Sequence, residues 1–316
     1  MAEALGWFAL GLLLLALGGD SVVKGVSGLA QRLGMRPFVA GLLLVAFGTS
    51  LPELAVNLHA VAAQQPHLAL GNAVGSNLAN LGLTLGVAAL VAPLVLRAQV
   101  LVPLLVLLAV ASLALVAFGL DGYVGRIEGG VLLLGFAAML AFLLRRGPRE
   151  PAEVQAEVAA FAATRTDLVL NLLRLAIALA LLHFGARWVV EGGLGLGRAW
   201  GLTPLLAGLL PVAIGTALPE VAAAVAAARR GQGDMVAGHV IGSSLFNLLA
   251  IVGGMALFQP LALPGSFVRL ELPAAVVLAV VLYPMLRSEH RVSRGEGAVL
   301  CLAFAAWVAL ELLLLL

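Results

Sequence analysis

The sequence predicts an all-α protein that crosses a membrane many times. Of its 316 residues, 62% are hydrophobic and only 11% are charged, and the mean hydropathy is +1.11. A soluble domain of this length must wet its exterior and does not need so much apolar surface. The apolar runs are continuous over about 20 residues, the length of a membrane-spanning helix, whereas a β-barrel would show short alternating strands.

Ten hydrophobic spans follow one another along the chain, each long enough to cross the hydrocarbon core of a bilayer. They lie near residues 4–31, 37–63, 68–94, 99–119, 124–144, 167–195, 203–228, 235–258, 268–286 and 296–315. The longest polar segment, residues 145–166, has the charge and proline content of a linker with a short surface helix. It separates a first five-helix unit, residues 1–144, from a second, residues 167–316.

The basic residues predict the orientation of these spans. If the N-terminus lies outside, 13 of the 18 Lys and Arg residues fall on the inner side, and Lys24 and Arg187 fall inside spans. Only Arg126, Arg198 and Arg269 then lie outside. Because inner loops carry the excess of Lys and Arg, we expect an inner-membrane protein with both termini external and a cytoplasmic linker. The lipid bilayer is its expected surrounding, and no feature predicts a nucleic-acid or protein partner.

The two units repeat their rarest residues at a constant offset of 167. The shared residues fall in two motifs of each unit: Gly48–Glu53 and Gly71–Gly82 in the first, Gly215–Glu220 and Gly238–Asn247 in the second. With five spans in each unit, the second enters the membrane from the opposite side. The sequence therefore predicts an inverted repeat, an architecture of secondary transporters that places the substrate site between the repeats.

A helix breaker and a carboxylate stand side by side at bilayer depth in each unit, as Pro52 with Glu53 and as Pro219 with Glu220. Proline has no N–H group for the carbonyl four residues earlier, which is Gly48 in the first unit. A freed carbonyl is costly in lipid unless it is buried or has a ligand, and an ionised carboxylate at this depth indicates a functional site. We expect broken helices at the core that face each other.

Hydroxyl and amide groups surround both predicted breaks. Thr49, Ser50 and Thr216 lie at the breaks themselves. On the following helix of each unit, a serine and an asparagine four residues apart share one helical face; the pairs are Ser76 with Asn80 and Ser243 with Asn247. Together with Glu53 and Glu220 they would form a cage of hard oxygen ligands suited to Ca²⁺ or Na⁺. Ordinary interhelical hydrogen bonding is the alternative for the serines and asparagines.

The quoted motifs resemble a known family. The segments "GTSLPE" with "GNAVGSNLANLG", and "GTALPE" with "GHVIGSSLFNLL", are similar to the two α repeats of the sodium/calcium exchanger family, calcium:cation antiporters, in their prokaryotic form. The resemblance implies alternating access around a central Ca²⁺ site, without a cofactor. It also implies a set of cation ligands: carboxylates at Glu53 and Glu220, hydroxyls at Thr49, Ser50, Thr216, Ser76 and Ser243, amides at Asn80 and Asn247, and backbone carbonyls at Ala46 and Ala213.

Two positions depart from the family pattern. Ala217 stands where many members carry the serine that Ser50 preserves, and Asn247 stands where some sodium-coupled members carry aspartate. Both changes remove oxygen or acidic character from the second repeat. They bear on the number and identity of the coupling ions.

The leading hypothesis is therefore an antiporter that exchanges Ca²⁺ for Na⁺, with Ca²⁺ held by Glu53, Glu220, Thr49 and Thr216. The first alternative is an H⁺/Ca²⁺ exchanger in which Glu53 and Glu220 carry the protons. A cation channel is disfavoured by an inverted repeat within one chain. An intramembrane enzyme is disfavoured because the sequence has neither HExxH nor GxSxG.

Overall fold

The protein is helical along almost its whole length. The computed structural model describes residues 1–288 and 290–314, apart from the side chains of Ala46, Phe47, Thr49, Arg287 and Ser288. Helices are the expected form, because a backbone in lipid must satisfy its own hydrogen bonds.

The first half of the chain contains seven helices before the linker. They are α1 (Ala2–Arg32), α2 (Pro37–Phe47), α3 (Leu51–Ala62), α4 (Pro66–Leu78), α5 (Leu85–Val91), α6 (Leu101–Phe118) and α7 (Arg126–Arg146). A 3₁₀ turn at Gly48–Ser50 joins α2 to α3, and a π-helical segment at Ala79–Thr84 joins α4 to α5. Further 3₁₀ turns lie at Gly119–Asp121 and Gly147–Arg149.

The second half follows the linker helix α8 (Ala152–Ala162). Its helices are α9 (Leu168–Ala199), α10 (Pro204–Ala207), α11 (Ala213–Arg229), α12 (Gly233–Leu245), α13 (Gly253–Phe258), α14 (Leu272–Ser288) and α15 (Arg294–Leu313). Three π-helical segments, Gly208–Val212, Phe246–Val252 and Phe267–Glu271, continue into α11, α13 and α14.

Nine helical stretches among the described residues are long and apolar enough to cross a membrane. The predicted all-α polytopic membrane protein is thereby confirmed. The predicted span at 37–63 is the one that is interrupted: α2 has 11 residues and α3 has 12, and each alone is too short to span a bilayer of about 30 Å.

The two most buried stretches lie at the centre of the molecule. They are Pro66–Val91, which runs through α4 and α5, and Gly233–Phe258, which runs through α12 and α13. By contrast, α1 and α9 are mostly exposed and pack against each other along their length. Gly11, Gly185 and Gly192 let these two backbones come into contact, because a Cβ atom at any of them would collide with the partner helix.

Two short antiparallel strand pairs connect loops that are distant in the sequence. Strand β1 (Leu94–Val95) pairs with β4 (Arg291–Val292), and β2 (Tyr123–Val124) pairs with β3 (Leu261–Ala262). Since backbone pairing requires adjacent loops, the members of each pair lie on the same side of the helical bundle.

The linker helix α8 packs against one end of the bundle, which we call the linker side. The carboxylate of Glu150 accepts hydrogen bonds from the backbone N–H groups of Gln99 (2.6 Å) and Val100 (3.1 Å). Asp234, at the start of α12, accepts two more from residues 97–98, at 2.7 and 2.8 Å. Burial raises the pKa of the Glu150 carboxyl, while these N–H groups oppose the shift.

The C-terminal end of α8 is fixed to α1. The Ala162 carbonyl accepts hydrogen bonds from the side chains of Ser27 and Gln31, the latter at 2.6 Å. Val154, Val158 and Ala162 form the buried face of the helix. The short helix predicted in the linker is therefore present, and it is docked onto the membrane-spanning bundle. We call the opposite end of the bundle the far side.

Candidate functional site

Glu53 lies in the first turn of α3, directly after the break in the second predicted span. The 3₁₀ turn at Gly48–Ser50 ends α2, and Pro52 occupies the start of α3, where its missing N–H group is tolerated. The positive end of the α3 dipole favours a carboxylate at this position. Glu53 is 1% exposed, and neither of its carboxylate oxygens accepts a hydrogen bond with good geometry.

Glu220 lies inside α11, and the predicted break beside it is absent. We expected the second half to open at Gly215 and Thr216, but α11 runs through both residues and through Pro219. The distortion is instead the π-helical segment Gly208–Val212, which contains Pro211. Since Pro211 has no N–H group, a wider turn absorbs the missing hydrogen bond before α11 begins. The prediction of a second break at Gly215 was wrong.

The two carboxylates nevertheless meet at the centre of the molecule. Glu220 is 6% exposed, both of its oxygens lack a hydrogen-bond partner, and it is close enough to Glu53 for the two charges to repel. The Thr216 hydroxyl lies near Glu53 across the boundary between the halves, while donating a hydrogen bond to the Ala213 carbonyl at 3.1 Å. Among the described residues, no Lys or Arg forms an ion pair with either glutamate.

The predicted serine and asparagine positions lie on the two central helices. Ser76 and Ser243 are on α4 and α12. Asn80 and Asn247 are each the second residue of a π-helical segment, Ala79–Thr84 and Phe246–Val252. Such π segments are rare and often mark functional sites, because they reorient one side chain against the rest of the helix.

Several of these side chains are buried with unused oxygen atoms. The hydroxyls of Ser50 and Ser76 and both amide atoms of Asn80 have no hydrogen-bond partner, and all three residues are 0% exposed. A buried polar group without a partner costs free energy unless a ligand satisfies it. The oxygen atoms of Ser50, Ser76 and Asn80 thus have the chemistry expected of ligands for a cation.

A network of hydrogen bonds between the halves sets the orientation of the Asn247 side-chain amide. The Nδ2 atom of Asn247 donates to Oδ1 of Asn77 at 3.1 Å, and Nδ2 of Asn77 donates to the Ser244 carbonyl at 3.2 Å. The Asn247 oxygen is consequently left without a hydrogen bond. Sequence reasoning missed Asn77, although it lies in the quoted motif and its equivalent in the second repeat is Ser244.

His239 was not predicted as a ligand, but it lies beside two residues that were. Its Nε2 atom lies 3.5 Å from the nearer Glu220 oxygen, and its Nδ1 atom lies 3.4 Å from the Ser243 hydroxyl. At the equivalent position of the first repeat stands Asn72, whose amide donates to Asn57 at 3.2 Å. The predicted ligand Ser243 is therefore in contact with an imidazole, unlike its counterpart Ser76. The sequence does show this difference between the repeats, because the motif "GHVIGSS" has a histidine where "GNAVGSN" has an asparagine.

One predicted ligand cannot be placed, because the side chain of Thr49 lies outside the described part of the structure. Ala46, predicted to contribute its backbone carbonyl, lies at the end of α2, just before the 3₁₀ turn. The Ala213 carbonyl is described, and it accepts the Thr216 hydrogen bond.

A cavity of 480 Å³ leads from Glu220 toward the linker side. Glu220, Thr216 and His239 line one part of the cavity. Phe161 of the linker helix and Arg230, directly after α11, line another part. On the far side the helices are in contact instead. There a Cβ atom on Gly71 would lie 2.2 Å from the Leu205 carbonyl oxygen, and one on Gly208 would lie 2.1 Å from that of Leu68.

The assembled groups are hard oxygen donors with one imidazole beside them. Within the described residues, no set of three or more His, Cys, Asp and Glu side chains could hold a metal ion. Mixed carboxylate, hydroxyl and amide oxygens suit Na⁺ or Ca²⁺. A polytopic helical protein with carboxylates buried between its halves, and with no Lys or Arg paired to them among the described residues, belongs to the class of membrane ion transporters.

Comparison with known proteins identifies the family. The sequence profile of the family described as "Sodium/calcium exchanger protein" matches residues 3–145 and 170–313. The chain therefore belongs to the sodium/calcium exchanger family, a family of membrane antiporters and not of enzymes. The predicted resemblance is confirmed.

Three proteins illustrate the similarity. Inner membrane protein YrbG of Escherichia coli is 33% identical over 98% of this chain and 97% of its own length. Sodium/calcium exchanger MaX1 of Methanosarcina acetivorans is 29% identical over 95% of each chain. A structure of the sodium-calcium exchanger NCX_Mj superposes with a TM-score of 0.69, at 28% identity and 97% coverage of both chains.

Proposed function

We propose that the protein exchanges Ca²⁺ for Na⁺ across the membrane by alternating access. The single observation that carries the proposal is the set of buried, unpartnered oxygens contributed by both halves, with Glu53 and Glu220 at its centre. The matching family profile and the structural similarity to NCX_Mj support the same conclusion. The transported ions are the expected ligands, and no cofactor is needed.

Charge explains why Ca²⁺ is the preferred cargo. Two ionised glutamates place about −2 at the site at neutral pH. Removing such charges from water costs several kcal/mol each after relaxation, unless a counter-charge accompanies them. One Ca²⁺ supplies that counter-charge, and the hydroxyl and amide oxygens of Ser50, Ser76 and Asn80 complete a coordination shell of six to eight ligands.

We further propose that the chain consists of ten spans arranged as two inverted repeats. The offset of 167 relates the two motif pairs, and it also relates the π-helical segments at Asn80 and Asn247. On this arrangement α2 and α3 together form one span. The repeats bring the two glutamates to the pseudo-twofold axis, which is where inverted-repeat transporters hold their substrate.

The asymmetry between the two sides supports alternating access. The cavity reaches Glu220 from the linker side, while the Gly71 and Gly208 contacts close the far side. Since the repeats are equivalent, exchanging their conformations would close the linker side and open the far side. The site with Glu53 and Glu220 would then be accessible from one side of the membrane at a time.

Na⁺ and H⁺ are the two candidates for the opposing ion. The family name favours Na⁺. H⁺ is the second candidate, with Glu53 and Glu220 as proton carriers, because a proton also neutralises a buried carboxylate. The test is ⁴⁵Ca²⁺ uptake into liposomes loaded with Na⁺ or with acid. Uptake that needs neither gradient would indicate a channel and overturn the proposal.

We expect a coupling ratio of two monovalent ions for each Ca²⁺. Two monovalent charges balance Glu53 and Glu220, and Asn247 provides no further acid for a third. Transport should then be nearly electroneutral. Ca²⁺ uptake measured at potentials set by valinomycin and K⁺ checks this expectation. If the reversal condition depends steeply on voltage, a third ion is transported and the ratio is wrong.

We also propose that the linker side faces the cytoplasm and both termini lie outside. The supporting observation is the excess of Lys and Arg at one end of the predicted spans. Ala156 is exposed on α8 and suits a reporter cysteine, introduced after replacing the native Cys301 by alanine. In intact cells, a membrane-impermeant thiol reagent should leave Cys301→Ala/Ala156→Cys unlabelled until the membrane is permeabilised. Labelling before permeabilisation would reverse the orientation.

A further inference from the structure

His239 links two of the expected cation ligands of the second half. It lies on α12, one helical turn before Ser243, and it is 9% exposed. Its Nε2 atom lies 3.5 Å from a carboxylate oxygen of Glu220 on α11, and its Nδ1 atom lies 3.4 Å from the Ser243 hydroxyl. Both ring nitrogens therefore face oxygen atoms of the candidate cation site. The role argued for this histidine rests on the proposed function.

The first half has no such link between its ligands. Asn72 occupies the equivalent position on α4, and its amide donates a hydrogen bond to Asn57 at 3.2 Å and not to Glu53. The hydroxyl of Ser76, the counterpart of Ser243, has no hydrogen-bond partner. The two halves thus hold equivalent ligands in different ways.

The local backbone explains why Glu220 needs a partner that Glu53 does not. Glu53 lies in the first turn of α3, where the free N–H groups of a helix terminus favour a carboxylate. Glu220 lies in the middle of α11, where backbone N–H groups bond to carbonyls of the same helix. Because the helix does not break at Gly215, no helix terminus supports the second carboxylate. The structure places an imidazole nitrogen beside it instead.

The chemistry of the ring fixes the direction of both contacts. An ionised carboxylate only accepts hydrogen bonds, so the Nε2 atom that faces Glu220 must carry the hydrogen. In a neutral imidazole the other nitrogen is then an acceptor, and the Ser243 hydroxyl donates to it. With its hydrogen turned toward Nδ1, the Ser243 oxygen keeps its lone pairs for a cation. One neutral histidine thereby orients a carboxylate and a hydroxyl at the same time.

We propose that His239 is a positioning residue that orients Glu220 and Ser243 for the transported cation. Ca²⁺ and Na⁺ prefer oxygen ligands, so the imidazole acts through these two side chains and not as a ligand itself. The distance of 3.5 Å to Glu220 is slightly longer than a hydrogen bond, and polar contacts at functional sites often tighten once the ligand is bound. Outer partners that orient metal ligands typically contribute about 10- to 100-fold to the affinity.

Two substitutions of His239 separate positioning from packing. His239→Gln places an amide N–H group near the former Nε2 atom, whereas the amide of His239→Asn ends near the former Nδ1 atom and does not reach Glu220. The affinity of the purified protein for ⁴⁵Ca²⁺ should fall about tenfold or more in His239→Asn, but only about threefold or less in His239→Gln. His67→Asn is the control, because His67 is exposed at the start of α4. Wild-type affinity in His239→Asn, or an equal loss in both His239 variants, would overturn the proposal.

Nitrogen NMR of protein labelled with ¹⁵N-histidine tests the same contacts without Ca²⁺ or transport. The His239 signals, identified by their loss in His239→Asn, should show a neutral ring with its hydrogen on Nε2 at neutral pH. Glu220→Gln should shift the Nε2 signal and Ser243→Ala should shift the Nδ1 signal, while His67→Asn should shift neither. A charged ring, a hydrogen on Nδ1, or signals that respond to neither substitution would refute the positioning role.

The NMR measurement also keeps this inference apart from the proposed function. If wild type moved no Ca²⁺ in liposomes, Ca²⁺ exchange would be wrong as the function. The NMR signals would still decide whether His239 orients Glu220 and Ser243.

Discussion

Glu53→Gln and Glu220→Gln should each abolish Ca²⁺ transport and leave the protein folded. Both carboxylates are buried, and neither has a Lys or Arg partner among the described residues. Removing one of two negative charges from this site should weaken Ca²⁺ binding by well over tenfold, since a tenfold loss corresponds to only about 1.4 kcal/mol. The measurement is ⁴⁵Ca²⁺ uptake into liposomes at matched protein content.

Thermal unfolding separates loss of the site from loss of the fold. Ca²⁺ should raise the melting temperature of wild type, because it binds the folded state, and should no longer do so in either variant. Without Ca²⁺ the variants should melt no lower than wild type, since an uncompensated buried charge has been removed. Glu153→Gln, the same change at an exposed position on α8, is the control and should behave as wild type. Normal uptake by either site variant would refute the proposed cation site.

Gly208→Ala should strongly reduce both stability and transport. The added Cβ atom would lie 2.1 Å from the Leu68 carbonyl oxygen and 3.0 Å from the Asn72 nitrogen. Because these are backbone atoms, the two segments must move apart to accommodate one methyl group. Overpacking of this kind costs about 1–3 kcal/mol. The far side would then no longer close as it does here.

Gly254→Ala provides a matched control for the glycine variant. Gly254 lies in α13, and a Cβ atom there would have no neighbour within 4 Å. Alanine also has a higher helix propensity than glycine, so this variant should be at least as stable as wild type. Melting temperature and ⁴⁵Ca²⁺ uptake are measured for both variants. If the two variants have the same melting temperature and the same ⁴⁵Ca²⁺ uptake, the far-side contact at Gly208 is not required for stability or transport.

Much of the candidate site could be predicted from residue type and depth in the membrane. Glu53 and Glu220 were identifiable because a carboxylate within a bilayer span is costly and rare. Ser76, Asn80 and Asn247 were identifiable from their repetition at the same offset. The break before Glu53 followed from Pro52, and it was found at Gly48–Ser50.

The second half was harder to predict, because the same motif there has a different local structure. Pro219 lies within a continuous helix, and the distortion occurs at Pro211, which has no proline counterpart in the first half. A proline permits more than one local adjustment, and the packing of the neighbouring helices decides which is used. The π-helical segments at Asn80 and Asn247 carry no proline and gave no sequence signal.

The sequence by itself determined the membrane class, the two motif pairs and the two carboxylates that lie buried between the halves. These follow from hydropathy, from helix-breaking residues and from the cost of buried charge, all of which act along the chain. The tertiary structure alone decided that His239 contacts Glu220, that Asn77 orients the Asn247 oxygen, and that the cavity opens on the linker side. Each of these depends on contacts between residues far apart in the sequence, whose geometry is set only when the helices pack.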